Sequence, residues 1–283
     1  MRTSVKWLGA AIPAAVCLSG LVVRTYAQEI TATTEPALAA PPVSQDEDRW
    51  AFNAPLYMWA AGMSGNVTVK NRSANFDLSF TDIYDHLDVG FMGYFELAKP
   101  QYGFYVMPIY DALTADGGVG NLSAELKTQL WIVEAGGFYR IWKSAADRPA
   151  SLYAVAGGRY WNLHNNLTIT DPVLGDQSVS TTTWLCDPIV GLRFREYLTS
   201  KVHVWVQTDV GGFGISEHTS RFTWQVMPLL AYDFTMPVIK KPSTVFAGWR
   251  WLNIQNVNSS NGEKNAIHLD MSGVVVGLNV QLF

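Results

Sequence analysis

From Trp50 onward the chain alternates between apolar and polar positions with a period of two, and no helical apolar stripe of useful length interrupts it. In 202–212, Val202, Val204, Val206 and Val210 share one face with Thr208, while His203, Trp205, Gln207 and Asp209 share the other. In 222–234, Phe222, Trp224, Val226, Leu230, Tyr232 and Phe234 oppose Thr223, Gln225 and Asp233. Side chains of a strand point to opposite faces in turn, so runs of this kind predict half-buried β-strands divided by Gly, Pro, Asn and Asp clusters. Ten strands are predicted, near 50–61, 88–98, 101–113, 124–142, 150–163, 182–197, 201–214, 221–235, 243–255 and 266–283. Residues 66–80 could supply two more, giving twelve.

The connections alternate in length. Short turns are expected at Lys99-Pro100, 143–149, 198–201 and 237–242. Longer polar connections are expected at 62–87, 114–121, 164–181, 216–220 and 256–265. Short turns at one end and long loops at the other, with Tyr102, Tyr139, Trp142, Trp184, Trp224, Trp249 and Trp251 near strand ends, are the marks of a transmembrane antiparallel up-and-down β-barrel. An even strand number puts both termini on the periplasmic side. A soluble barrel would alternate too, but would turn its apolar face inward.

Composition supports the same class. Hydrophobic residues make up 48% and charged residues 16%, against about 25% charged in an ordinary soluble domain. Arg2 and Lys6 precede the apolar stretch 8–23, and Thr25-Tyr26-Ala27 offers small residues where a signal peptidase reads, so 1–27 is expected to be a cleaved signal peptide. Residues 28–49, rich in Ala, Thr and Pro, are expected to be a disordered periplasmic linker, and 50–283 the barrel. Losing Arg2, Lys6 and Arg24 with no acid takes the formal charge from −4 to −7, which argues against a nucleic-acid partner. Cys186 would then be the one cysteine left, so neither an intrachain disulfide nor a CxxC metal site can form.

The polar positions that oppose apolar neighbours are Glu96, Asp111, Glu134, Arg159, Asp187, Arg193, Asp209, Asp233 and Arg250. An Arg facing lipid at mid-depth costs roughly 2–4 kcal/mol, so these side chains are assigned to the lumen. Counted up their strands, Glu134, Arg159, Asp209 and Arg250 fall at similar depth and form one expected charge lattice. Met92, Tyr94, Met107, Trp205 and Met227 add bulk to the same interior. Small barrels fill their interior with side chains, and buried charges there pair with one another.

Other constellations are weaker. Asp82, Asp85, His86 and Asp88 could hold a hard cation, but the expected reading is a single helical turn capped by Thr81, and no metal or cofactor is expected. Ser216 and His218 share an outer loop, and His164, His268 and Asp270 could approach the same rim, which leaves a rim-site enzyme acting on lipid or peptide as an outside reading. Gly136-Gly137, Gly157-Gly158 and Gly211-Gly212 are read as strand glycines that serve curvature and close packing.

The terminal Phe283 after 274–282 resembles the sorting signal of Gram-negative outer-membrane proteins, with Gln281 and Asn279 in the usual apolar phase and a bulge near Gly273 or Gly277 to account for the shift. The stretch Pro55-Leu56-Tyr57-Met58-Trp59, and Ser79-Phe80-Thr81-Asp82-Ile83 leading to Leu87-Asp88-Val89-Gly90, are similar to a broad group of uncharacterised bacterial outer-membrane barrels of the porin-like superfamily. The resemblance covers 50–283. It implies a barrel in the outer membrane, in contact with its lipid and delivered by the barrel-assembly machinery through Phe283, and it carries no site residues. The function expected is a barrel with a side-chain-filled, charge-paired lumen in a structural or surface-interaction role, with a narrow channel for small solutes or ions as the alternative.

Overall fold

Pro55 has no N–H to give to a β-ladder, and the first strand breaks there. In the computed structural model, which describes residues 49–69, 72–119, 122–144, 149–171, 175–237, 240–260 and 263–280, the break separates β1 (Ala51–Asn53) from β2 (Leu56–Val69). The expected signal peptide, all of the expected linker but Arg49, and the terminal Phe283 lie outside the described residues. After β2 come β3 (Arg72–Leu78), α1 (Phe80–Asp85), β4 (Leu87–Met92) and β5 (Phe95–Ala98). Eight strands follow: β6 (Tyr102–Val119), β7 (Leu122–Lys143), β8 (Ala150–Asp171), β9 (Gly175–Tyr197), β10 (Val202–Gly211), β11 (Phe222–Thr235), β12 (Pro242–Ser260) and β13 (Glu263–Val280).

Pairing is antiparallel throughout, in the order β1-β5-β6-β7-β8-β9-β10-β11-β12-β13-β2-β3, with β4 also on β6. β1 lies on β5 at one end of this path, and β2, its direct continuation, lies on β13 at the other. One stretch of chain therefore joins both ends of the sheet and closes the barrel. Counting β1 with β2 and β4 with β5 as single staves, and β6 to β13 as one each, gives ten. The segment that could have made twelve adds only β3, a hairpin arm on the outer half of β2.

Four of the expected long loops are strand instead. β6 runs to Val119 before β7 starts at Leu122, β8 runs to Asp171 before β9 starts at Gly175, and β12 runs to Ser260 before β13 starts at Glu263. The 62–87 connection is occupied by the end of β2, by β3 and by α1. A run of polar positions means water beside a ladder rather than its absence, and Thr is a good strand residue. The 212–221 connection is a true loop, with Gly212, Phe213 and Gly214 all at positive φ, and Gly212 stands outside the strand. The helix is capped by Ser79, not Thr81: the Ser79 hydroxyl accepts the Asp82 N–H while the Asp82 carboxylate accepts from the Ser79 N–H. The bulge expected near Gly273 or Gly277 is absent, since β13 keeps unbroken register with both neighbours.

The barrel is apolar outside and polar inside. On β10, His203, Gln207 and Asp209 are buried while Val210 is exposed; on β11, Thr223 and Gln225 are buried while Phe222, Leu230 and Tyr232 are exposed. Aromatic residues gather at two heights on the exterior. Near the short turns, Trp50 packs edge-on against Tyr102 at 5.5 Å, with Tyr139 and Trp142 beside them in the chain pairing. Higher up stand Tyr110 and Trp131, 4.5 Å apart, together with Trp184, Trp249 and Trp251. Tyr102 and Tyr110 are eight positions apart on β6, about 26 Å along a strand at ~3.3 Å per residue and about 20 Å in height once a tilt of roughly 40° is allowed for. Above the upper band, β6 to β9 and β12, β13, β2 and β3 continue as tall walls, whereas β10 and β11 stop near it.

Candidate functional site

The strand register sets the interior lattice. Glu134 on β7 stands opposite Arg159 on β8, and Arg159 stands opposite Asp187 on β9. On β10, Asp209 faces Gly191 on one side and Gln225 of β11 on the other. Position 191 admits no side chain: a Cβ there would lie 2.1 Å from the Thr208 carbonyl oxygen and 2.7 Å from the Asp209 Cβ. With no side chain at 191, those of Asp209 and Arg159 can meet over β9.

Arg159 is the hub. Its Nη2 donates to Glu134 Oε2 and to Asp209 Oδ1, each at 2.7 Å; its Nε reaches Glu134 Oε2 at 3.1 Å and its Nη1 reaches Thr223 Oγ1 at 3.1 Å. Glu134 Oε1 accepts from the Tyr105 hydroxyl at 2.8 Å and from Gln207 Nε2 at 3.1 Å. Arg250 on β12 donates through Nε to Gln225 Oε1 at 2.7 Å, and Gln225 Nε2 donates to Asp209 Oδ2 at 3.0 Å. The Arg250 guanidinium lies 4.5 Å above the Trp59 ring, and its Nη2 is 3.9 Å from Glu134 Oε2. Glu134, Arg159 and Arg250 are 0% exposed and Asp209 is 2%. Two guanidinium cations thus meet two carboxylates in a closed network that ties together β7, β8, β10, β11 and β12.

A second cluster lies nearer the short turns. Arg193 Nη1 pairs with Glu96 at 2.7 Å, its Nε and Nη2 reach Gln207 Oε1 at 3.2 and 3.0 Å, and its Nη2 reaches the Tyr94 hydroxyl at 3.2 Å. The Tyr94 hydroxyl donates in turn to Glu96. The guanidinium is enclosed by the rings of Phe138 at 4.2 Å, Tyr105 at 5.1 Å and Trp205 at 5.2 Å. Gln207 links this cluster to Glu134. Lower still, His203 Nδ1 is 3.3 Å from Asp233 Oδ2, and Asp233 accepts from Thr244 at 2.6 Å. Above the lattice, Asp187 Oδ1 accepts the backbone N–H of Ser220 at 2.6 Å and so holds the 212–221 loop down. Beside the lattice sits an apolar layer that includes Trp59, Ile132, Trp161, Leu252 and Met271.

The nine charged residues expected in the lumen therefore divide. Glu134, Arg159, Asp209 and Arg250 meet. Arg193 and Glu96 form their own pair, Asp187 and Asp233 stand above and below, and half-buried Asp111 has no ion pair among the described residues. Of the bulky residues, Met107 places its Sδ 3.7 Å from Arg250 Nη1, Met92 Sδ accepts the backbone N–H of Trp59 at 3.2 Å, and Met227 is buried. Tyr105 was not singled out in the sequence, although it shares the inward phase of β6 with Met107.

The rim residues do not gather into a nucleophile and base. The Ser216 hydroxyl accepts the backbone N–H of His218 at 3.3 Å, while the His218 ring stacks on Trp184 at 3.9 Å. His164 is engaged with Thr182 at 2.8 Å, and His268 with Asp270 at 3.2 Å and Asn253 at 3.1 Å on the outer face. Of the acid-rich group, Asp82 serves the helix cap, which holds its carboxyl below the usual range through the Ser79 hydroxyl and N–H, and Asp88 accepts from Thr114 at 2.6 Å. Among the described residues no set of His, Cys, Asp and Glu could hold a metal ion.

A closed antiparallel sheet with charges bound inside and aromatic bands outside defines the class: an outer-membrane-type β-barrel. Solved structures similar to the chain are of that class. The outer-membrane protease OmpT from Escherichia coli aligns over 84% of this chain and 98% of its own, with 10% identity and a TM-score of 0.46. Ail, the attachment invasion locus protein of Yersinia pestis, aligns over 80% and 97% with 12% identity and a TM-score of 0.31, and a Pseudomonas aeruginosa FadL homologue over 83% and 91% with 8% identity and a TM-score of 0.31. No protein-family model matches the chain, and no curated protein does. These are likenesses of barrel to barrel, and no residue role passes from them to this chain.

Proposed function

We propose that the chain is an exported outer-membrane barrel whose lumen is closed by its own side chains, and that its role is structural or in surface interaction. The observation that carries this reading is the complete burial of Arg159 between Glu134 and Asp209. A wet pore would leave at least one of these charges open to water. Burying an ion costs several kcal/mol unless good geometry offsets it, and here every lattice charge except Arg250 has a direct charged partner at 2.7 Å. The exposed apolar surface between the two aromatic levels supports membrane insertion, with the short turns in the periplasm. Proteoliposomes holding the purified protein, diluted into isotonic small sugars or amino acids, should not swell. Swelling at a rate that rises with protein content would overturn the closed-lumen reading.

A second reading, a narrow channel, has one observation in its favour. The polar clusters His203–Asp233, Arg193–Glu96, the central lattice and Asp187 form a column along the β8–β11 wall. Opening it would require Arg159 to release a carboxylate, so conduction would be gated rather than constant.

A further inference from the structure

The hairpin β10–β11 is shorter than its neighbours. β9 pairs with β10 only over Ile189–Tyr197, yet β8 pairs with β9 all the way to Gly175. Among the described residues, no strand lies on the other side of β9 from 175 to 188. An antiparallel strand turns its backbone groups alternately to its two neighbours. The Cys186 N–H points away from β8, because it donates to the His218 carbonyl at 2.7 Å. By alternation, Ser178, Ser180, Thr182 and Trp184 also present their N–H and C=O groups to the open side. The 212–221 loop thus makes the first rung of a missing strand and leaves the next rungs vacant.

The middle of this edge is unprotected. From Val179 to Thr183 the sequence is Val-Ser-Thr-Thr-Thr: uncharged, mostly β-branched, without proline, and in unbroken register with β8. Protein edges are usually blunted by charges, proline or bulges. The inward face beside the edge carries an apolar row. Leu126, Leu167 and Val179 stand in one row across β7, β8 and β9, with Ile169 next to them, and they are 39%, 38%, 68% and 40% exposed.

We propose that the upper edge of β9 is a docking site for an extended polypeptide from another molecule, which adds to the wall as an antiparallel strand. Main-chain hydrogen bonds to Ser178, Ser180 and Thr182 hold it, and its apolar side chains at alternate positions lie beside Val179. A second copy of the chain in the same membrane does not fit this role. Two copies related by an axis along the membrane normal, with strands tilted by roughly 40°, would cross at roughly 80° rather than run antiparallel. The proposal is independent of whether the lumen conducts.

The test uses the full-length protein in nanodiscs and a fluorescent peptide of alternating Val and Thr with lysine ends. Wild-type protein should raise the anisotropy of the peptide saturably. The same peptide N-methylated on the residues that face β9 should not bind. Ser180→Pro removes a donor that β8 does not use and places a ring on the edge, so it should weaken binding roughly tenfold or more, with unchanged gel mobility reporting an intact barrel. No binding to wild type, or equal binding of the N-methylated peptide, would overturn the proposal even if Ser180→Pro failed to fold. Disulfide cross-linking of two chains through Ser180→Cys in a Cys186→Ser background would also overturn it, by showing that a second copy fills the edge.

Discussion

Removing the Arg159 side chain perturbs the lattice most. Arg159→Ala deletes the contacts to Glu134 at 2.7 and 3.1 Å, to Asp209 at 2.7 Å and to Thr223 at 3.1 Å, and leaves two buried carboxylates facing a cavity. Breaking a buried pair from one side typically costs about 3–5 kcal/mol, because the abandoned charge has no compensation. Glu134 keeps Tyr105, Gln207 and a distant Arg250, and Asp209 keeps Gln225, so the expected loss is near the lower end, about 3 kcal/mol. With a urea dependence of about 1–3 kcal/mol per molar, the unfolding midpoint in lipid vesicles should fall by roughly 1–3 M. The exposed Lys127→Ala, which loses only a surface pair with Glu125 at 2.9 Å, should leave the midpoint close to wild type. Combining Glu134→Gln with Arg159→Met removes both charges and keeps an acceptor for Tyr105, so part of the loss should return. Equal midpoints for wild type, Arg159→Ala and the double variant, read by tryptophan fluorescence, would refute the burial argument and mean that these side chains are solvated.

Other outcomes follow from the same architecture. The native protein should leave membranes only in detergent and shift its gel mobility on boiling; a protein soluble without detergent would refute the membrane reading. In whole cells carrying Cys186→Ser, an impermeant maleimide should label Ser260→Cys at once and Lys241→Cys only after permeabilisation, and the reverse would invert the orientation. Asp82 should titrate below the ordinary 3.8. A depressed carboxyl contributes order above its unfolded value and loses it as pH falls through the folded one, so α1 should fray only in strong acid. Ser79→Ala should raise that titration toward the ordinary value, and identical carbon-detected NMR titrations of Asp82 in both proteins would refute the capping account.

Much of the fold was legible because β10 and β11 alternate cleanly and because a lumen charge must oppose apolar neighbours. The meeting of Glu134 with Arg159 needed only adjacent strands at equal depth. The partners from three strands away were not legible as partners: Gln207 of β10 meets Glu134 of β7, and Thr223 of β11 meets Arg159 of β8, only once the sheet curls, and the curl is completed where β1 and β2 divide at Pro55. Asp111 and Asp233 alternate like the lattice residues yet stand apart, since period two fixes a face but not a height. The tall walls above the upper aromatic band were hidden for a different reason. Ser, Thr and Asn in such density resemble a loop by composition, whereas here they sit on strands that stand in water.

The closed lumen is tested most directly by single-channel recording of the purified wild-type barrel in a planar bilayer. A silent membrane, with insertion verified by protease protection of the reconstituted protein, is the expected result. Steady current steps from wild type whose size or ion selectivity changes in Arg159→Ala or Arg250→Ala would contradict the account and make the polar column a conducting path.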